Sequence, residues 1–293
     1  MAKGANDLIE RQLNDLINTV ESVTSGDCLS YSGPIAFGAD DAIRDAVERL
    51  RNRSKRRGSK LVIILETQGG FAEVARRISD TIRHHYSLVD FLIPSHAMSA
   101  GTILAMSGNA IYMNYYSVLG PIDPLVESQD GNKLIPAMGY LIKYEELLKK
   151  ANTGKAGAAE IQILLGFDQG ELYSYEQARE LSVSLLEEWL VKYKFKTWKI
   201  TDKRAIKVTS SMKKNRAREI AMKLNDAKRW NSHGIGINME RLRRDLNLKI
   251  DDFGDIEELN DSISSYHKLL KDYMEKMGQN AIVHTRESYE ALL

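Results

Sequence analysis

The sequence predicts an α/β fold of repeated ββα units with a helix-rich C-terminal extension. Three stretches predict it. Leu61-Val62-Ile63-Ile64-Leu65 is a continuous apolar, β-branched run, as a strand buried on both faces of a parallel sheet requires. It ends in Glu66-Thr67-Gln68-Gly69-Gly70-Phe71, and Ala72 to His84 then follows at helical spacing. A second apolar run, Leu88 to Pro94, leads through the small-residue turn His96-Ala97-Met98-Ser99-Ala100-Gly101-Thr102 into a helix-like Ile103 to Ser107. Ala110 to Met113 reads as a further short strand, and Ser117-Val118-Leu119-Gly120-Pro121-Ile122-Asp123-Pro124 as a tight turn.

Around this core the remaining elements follow from periodicity and caps. Asp7 to Val23 carries Leu8, Ile9, Leu13, Leu16, Ile17 and Val20 on one face, which makes an amphipathic helix. Asp27 to Tyr31 reads as a strand, Gly33-Pro34 as a turn, and Asp40 to Arg53 as a helix opened by two acidic residues. Met138 to Ala151 is helical and ends in basic residues; Asn152 to Ala158 is a small-residue linker. Helices are expected at 159–165, 174–193 and 211–225, a turn at Trp230 to Ile237, a helix at 238–246, and an acidic helix at 255–277 with a short tail. This divides the chain into an N-terminal helix (1–25), a core (26–165) and a helix-rich part (166–293).

At 293 residues the chain has ample length for a sizeable core, as one large domain or two smaller ones. Its single cysteine, Cys28, excludes an intrachain disulfide and suits a reducing compartment. The first residues lack the apolar centre of a signal peptide, and no run approaches a membrane span, so a cytoplasmic location is expected. The six histidines are scattered apart from His84-His85 and show no metal-ligand spacing, so neither metal nor cofactor is expected. The net charge of +1 is unevenly spread. Residues 192–229 hold 14 Lys/Arg against 3 Asp/Glu, and residues 250–293 hold 4 against 10. The basic segment has no nucleic-acid-binding motif or aromatic interleaving, so a solvated face, or pairing with an acidic surface, is the expectation over nucleic acid.

Ser99 stands where the turn meets a helix. A hydroxyl beside free backbone amides is what acyl transfer requires, because the amides can hold the oxyanion. Serine is also a preferred N-cap, so the heptapeptide alone leaves both readings open. Gly69-Gly70 permits positive φ and close backbone approach.

Taken together, Thr67-Gln68-Gly69-Gly70, Ala97-Met98-Ser99-Ala100-Gly101-Thr102 and Leu119-Gly120-Pro121-Ile122-Asp123-Pro124 resemble the ClpP/crotonase superfamily. The likeness lies on the side of the signal peptide peptidase A-like serine peptidases, closest to the serine dehydrogenase proteinase family. Gln68 stands where that family has proline. The resemblance implies an ATP-independent serine peptidase working through an acyl-enzyme on Ser99, and a homo-oligomer acting on a peptide or protein. It implies oxyanion donors at Gly70 or Gly69 and at Ala100. No histidine lies in 117–124, where ClpP carries its base, so a lysine base is expected, as in the peptidase A-like relatives. Lys143 is the first candidate because it follows a Pro-Ala segment within an apolar stretch, which suits a lysine of depressed pKa. Lys133, Lys149, Lys150 and Lys155 are the others. Tyr140 lies one helical turn before Lys143 and could face the same way. His96 precedes the serine by three residues. Asp123 is expected to brace the Gly-Pro turn. His233, in a turn similar to the family's Trp-Thr-His element, is either a structural turn histidine or a site-lining one. Two rival classes remain: a catalytically weakened peptide-binding or scaffolding protein, and a crotonase-type acyl-CoA enzyme.

Overall fold

The computed structural model describes residues 4–53, 60–127, 134–201, 205–230 and 232–292. In chain order the strands are β1 (Asp27–Ser32), β2 (Lys60–Glu66), β3 (Leu88–Leu92), β4 (His96–Ala97), β5 (Ala110–Met113), β6 (Val118–Leu119), β7 (Leu125–Glu127), β8 (Leu134–Pro136), β9 (Ile237–Asn238), β10 (Asp251–Asp252), β11 (Ala281–Thr285) and β12 (Ser288–Leu292). The α-helices are α1 (Ala5–Thr24), α2 (Ala39–Arg53), α3 (Ala72–His85), α4 (Ala100–Ala105), α5 (Ala137–Asn152), α6 (Ala158–Leu165), α7 (Gln169–Trp189), α8 (Ser210–Leu224), α9 (Ala227–Trp230), α10 (Met239–Leu246) and α11 (Glu257–Met277). A π-helical turn, Leu190–Lys194, extends α7.

One sheet in the order β10-β5-β3-β2-β1-β11-β12 organises the molecule. The run from β10 to β1 is parallel, and β11 joins β1 antiparallel. Its side chains alternate between two cores. Leu29, Tyr31, Leu61, Ile63, Leu65, Val89 and Phe91 face α2, α3 and α4. Cys28, Val62, Ile64, Leu92 and Ile282 face the apolar stripes of α1 and α11. Helices on both faces explain why β2 is apolar at every interior position. In α1 the buried Leu13, Ile17 and Val20 are spaced by four and three, as one helix face demands.

The end of the chain differs from expectation. Residues 281–292 form the β11/β12 hairpin, not a tail, and β11 pairs with β1 (Leu29 with Thr285, Ser32 with Ile282). Ile282 and Val283 enter opposite cores. The hairpin's register is set by a strand near the other end of the chain, and local periodicity carries no trace of that partner. Arg286, in the hairpin turn, reaches the buried carboxylates of Glu21 and, at 3.0 Å, Asp27. The basic segment meets acidic partners within the chain: Arg216 and Lys223 with Glu219, Lys228 with Glu146, and Arg229 with Asp245. The acidic C-terminal part supplies none of these four contacts.

His284 is fully buried between α1 and α11. Tyr266 Oη lies 2.9 Å from its Nδ1, and Nε2 lies 2.9 Å from Asn14 Oδ1. That arrangement suits the neutral ring, with Tyr266 donating and Nε2–H donated to Asn14. Burial pushes the His284 pKa down to about 4. Because the folded value lies below the unfolded one near 6.5, the unfolded state takes up the proton first. Stability is therefore lost as pH falls from about 6.5 towards 4, by ~3 kcal/mol at most. Urea unfolding of the wild type and His284→Gln across that range should show a shallower pH slope in the variant.

Candidate active site

The site is built on the second, smaller sheet, in the order β4-β6-β9. β4 and β6 run parallel, with His96 beside Val118 and Ala97 beside Leu119. β9 runs antiparallel to β6, with Leu119 opposite Ile237. The residues that follow β4 and β6 and those that precede β9 therefore lie at the same end of this sheet. Ser99 lies just past β4, Asp123 past β6, and His233 ahead of β9.

Ser99 has φ 49° and ψ −115°, a conformation that side-chain-bearing residues rarely adopt, and its side chain makes no capping hydrogen bond. Its backbone takes the N-cap position of α4, but its side chain does not cap the helix. Such strain costs ~1–3 kcal/mol and persists only where the surroundings enforce it. Here the surroundings are tight: Ser99 is 6% exposed, and every residue of α4 behind it is buried. Among the described residues Ser99 Oγ makes no hydrogen bond. Catalytic contacts are often long in structures without ligand.

The Gly-Gly loop is fastened beside it by backbone pairing. Thr67 N–H donates to His96 O and Met98 N–H to Thr67 O, each at 3.0 Å. Ile35 N–H donates to Gly69 O at 2.8 Å, and Phe71 N–H to Ile35 O at 2.9 Å. Gly69 N–H donates to Thr67 Oγ1 at 3.0 Å. The Gly70 and Ala100 amides donate to no group among the described residues. Of the two glycines expected as oxyanion donors, Gly70 has the free amide. A Cβ on Gly70 would overlap the Ile35 carbonyl, so a side chain there displaces the whole loop and does not merely block the site.

Asp123 does not brace its turn. Among the described residues both its carboxylate oxygens are buried without a hydrogen bond, and the residue is 1% exposed. Oδ1 lies 2.9 Å from His233 Nδ1, at an angle too bent for a regular hydrogen bond. The His233 side chain is 14% exposed. The turn is braced instead by Thr102, whose Oγ1 accepts from Gly120 N–H at 2.9 Å and lies 2.7 Å from the Ala97 carbonyl. The sequence reading missed both Thr102 and the Asp123–His233 pair. The signals were present in the Gly-Pro-Ile-Asp-Pro and Trp-Asn-Ser-His turns, but nothing in their separation shows that β6 and β9 are neighbours.

The described lysine candidates do not have the setting expected of a base. Lys143 is exposed on α5 and lacks the burial that a neutral lysine base needs. Lys149, Lys150 and Lys155 are exposed as well, and Lys150 pairs with Glu160 at 2.6 Å. Lys133 lies outside the described residues. Tyr140 belongs to a satellite cluster with Phe167 and Tyr175, and its hydroxyl donates to Glu171 at 3.1 Å.

His96 belongs to the opposite face of β4. Its Nε2 accepts from Gln68 Nε2 at 2.9 Å, and Nδ1 lies 3.8 Å from Glu66 Oε1. Burial holds its pKa below the ordinary value against the pull of Glu66. Glu66 is in turn held by His267 at 2.6 Å and Lys271 at 3.1 Å, both from α11. Burial raises the Glu66 pKa, but the hydrogen bonds and charges of those two partners outweigh it and keep the carboxyl below the usual range. Gln68, which stands where the resembling family has proline, ties the loop to β4 through His96.

Residues 40–149 match the family of ClpP-like SDH-type serine proteinases. The match takes in the Gly-Gly loop, Ser99 and Asp123 and stops short of His233. An uncharacterized protein of Methanocaldococcus jannaschii, MJ0137, is 28% identical over 50% of this chain and 52% of its own length. A second from the same organism, MJ1495, is 26% identical over 42% of this chain and 43% of its own. The matched stretches thus span about half the length of these relatives, or less. A solved structure of the 1510-N membrane-bound stomatin-specific protease, a serine-to-alanine mutant, is 11% identical with TM-score 0.43, covering 78% of this chain and 80% of that one. The likeness read from the three motifs is borne out by the family match. The mixed α/β class is borne out by the parallel sheet and its two helical layers. No described helix is long and apolar enough to cross a membrane.

The Gly69 contact generates a test. At φ +103°, a Cβ there would fall 2.8 Å from Met98 O and 2.9 Å from Ser99 Cβ. Gly69→Ala should slow labelling of Ser99 by a fluorophosphonate by ~10²-fold or more, the scale of a lost oxyanion contact. Gly38→Ala is the control. It has φ +95° with nothing within 4 Å of the added Cβ, so it should carry the backbone strain and leave labelling unchanged.

Proposed function

We propose that this chain is a serine peptidase in which Ser99 is the nucleophile, His233 the general base and Asp123 the group that orients the histidine. The observation that carries this reading is the Asp123–His233 contact of 2.9 Å at the end of the small sheet where the Ser99 turn also emerges. Among the described residues this buried carboxylate has no other partner, which is costly unless a donor answers it. Imidazole Nδ1–H is that donor after a small rotation of the ring. With the proton fixed on Nδ1, Nε2 is left bare to take the hydroxyl proton.

In the proposed sequence, Ser99 Oγ attacks the scissile carbonyl as its proton passes to His233 Nε2. The Gly70 and Ala100 amides hold the oxyanion. Collapse of the tetrahedral intermediate expels the amine, which takes the proton from His233 and leaves the acyl-enzyme. Water, activated by the same ring, then releases the acid and regenerates Ser99. The substrate is a peptide or protein and the working form a homo-oligomer; the chemistry requires no cofactor.

Fluorophosphonate labelling and hydrolysis of an unstructured protein test the reading on four single variants and one double variant. Ser99→Ala should lose both activities. His233→Ala and Asp123→Asn should each lose about 10²–10⁴-fold in turnover, the range of a general base. The double variant with Ser99→Ala should be no worse than Ser99→Ala alone, because the residues act as a unit. Lys143→Ala should retain activity. A Lys143→Ala protein as inactive as Ser99→Ala, beside an active His233→Ala, would return the base to lysine.

A further inference from the structure

The basic segment is not exhausted by its surface ion pairs. Where α7 tightens into the π-helical turn Leu190–Lys194, it closes one side of a cavity of about 710 Å³. π-turns inside helices often mark functional positions. The cavity opens at the starts of β5 and β10, beside Ala110 and Asp251, at the opposite end of the parallel strands from the Ser99 turn. Its size falls within the range of small-molecule sites.

Two kinds of side chain line it. Phe195 and Trp198, with ring centroids 5.5 Å apart, form an aromatic wall, and Ile206 and Met212 add apolar surface. Among the described residues the cations lining it are Lys194, Arg216 and Lys249. Arg216 is answered by Glu219 at 2.6 Å and Lys249 by Asp251 at 3.4 Å. Lys194 is only 9% exposed, and among the described residues its ammonium has neither a hydrogen bond nor an ion pair. A buried, unanswered charge is unfavourable, and a protein relieves it with a partner or by losing the proton. The cavity bordering Lys194 has room for such a partner.

We propose that this cavity binds a planar organic anion, whose acidic group is held by Lys194 and whose ring lies against Trp198. An aryl carboxylate and a nucleoside phosphate share this chemistry. Both would supply the charge that Lys194 lacks and cover the aromatic wall. Burial lowers the Lys194 pKa to about 8, with Asp251 and Asp90 favouring the charged form and Lys249 opposing it. The cation that holds the anion is therefore present below that value, and affinity falls as pH rises through it. The proposal stands apart from catalysis at Ser99, and the two can fail independently.

The test is titration of the full chain at pH 7 with 2-naphthoate, AMP and inorganic phosphate, followed by calorimetry and tryptophan fluorescence. The expected result is saturable binding of at least one aromatic anion, with inorganic phosphate at least tenfold weaker; which probe wins distinguishes carboxylate from nucleotide. Lys194→Gln and Trp198→Ala should each weaken binding at least tenfold and leave fluorophosphonate labelling of Ser99 unchanged. A measurement on the unmutated protein guards against misfolded variants: reductive methylation read by mass spectrometry should show Lys194 protected by the bound anion. The proposal is overturned if neither aromatic anion saturates at millimolar concentration. Undiminished binding by Lys194→Gln, phosphate bound as tightly as the aromatic probes, or methylation of Lys194 unaffected by the anion would overturn it equally.

Discussion

Two backbone hydrogen bonds govern the candidate site: Thr67 N–H to His96 O, and Met98 N–H to Thr67 O. They join the segment leaving β2 to the segment leaving β3, so the Gly-Gly loop and the serine turn are held as one piece. Each bond is worth only about 1 kcal/mol net. Their effect is geometric. They bring Gly69 so close to Ser99 that no side chain fits between them, and the Gly70 and Ala100 amides have no hydrogen-bond partner among the described residues.

The strain at Ser99 follows from the same arrangement. Its φ of 49° is enforced by a buried α4 behind it and by Gly101 beneath it, where an added Cβ would overlap the Thr67 methyl. Thr102 then stitches the start of α4 to both β4 and the Gly120 turn. From that turn the chain reaches Asp123. One short sheet of two-residue strands therefore sets Ser99, the Gly-Gly loop and the Asp123 carboxylate.

On the other face of β4, the Glu66 cluster fastens α11 to the strand that leads into the loop. The parallel sheet thus presents two differently furnished ends. Its C-terminal end carries the serine turn, as crevices beyond the carboxyl ends of parallel strands commonly do. Its N-terminal end, closed by the π-helical turn of the basic segment, carries a cavity bordered by Lys194, whose ammonium has no ion pair among the described residues.

The sequence by itself determined what depends on neighbours along the chain. The apolar β2 run, the amphipathic stripe of α1, the helix of residues 72–85 and the serine turn all announce themselves within one or two helical turns, because period and glycine content are local properties. The resemblance of the three motifs likewise rests on contiguous residues, and it supplied Ser99 and the Gly-Gly loop. Tertiary structure decided the rest. Lys143 sits in an apolar stretch of sequence, yet the packing of α5 turns it to solvent, since one helix must expose some face. His233 stands far from Asp123 in the chain, and only the antiparallel pairing of β9 with β6 brings their side chains to 2.9 Å. The β11 hairpin found its partner in β1 for the same reason. Long-range pairing is selected by the summed burial of whole faces, a quantity that no short window of sequence contains.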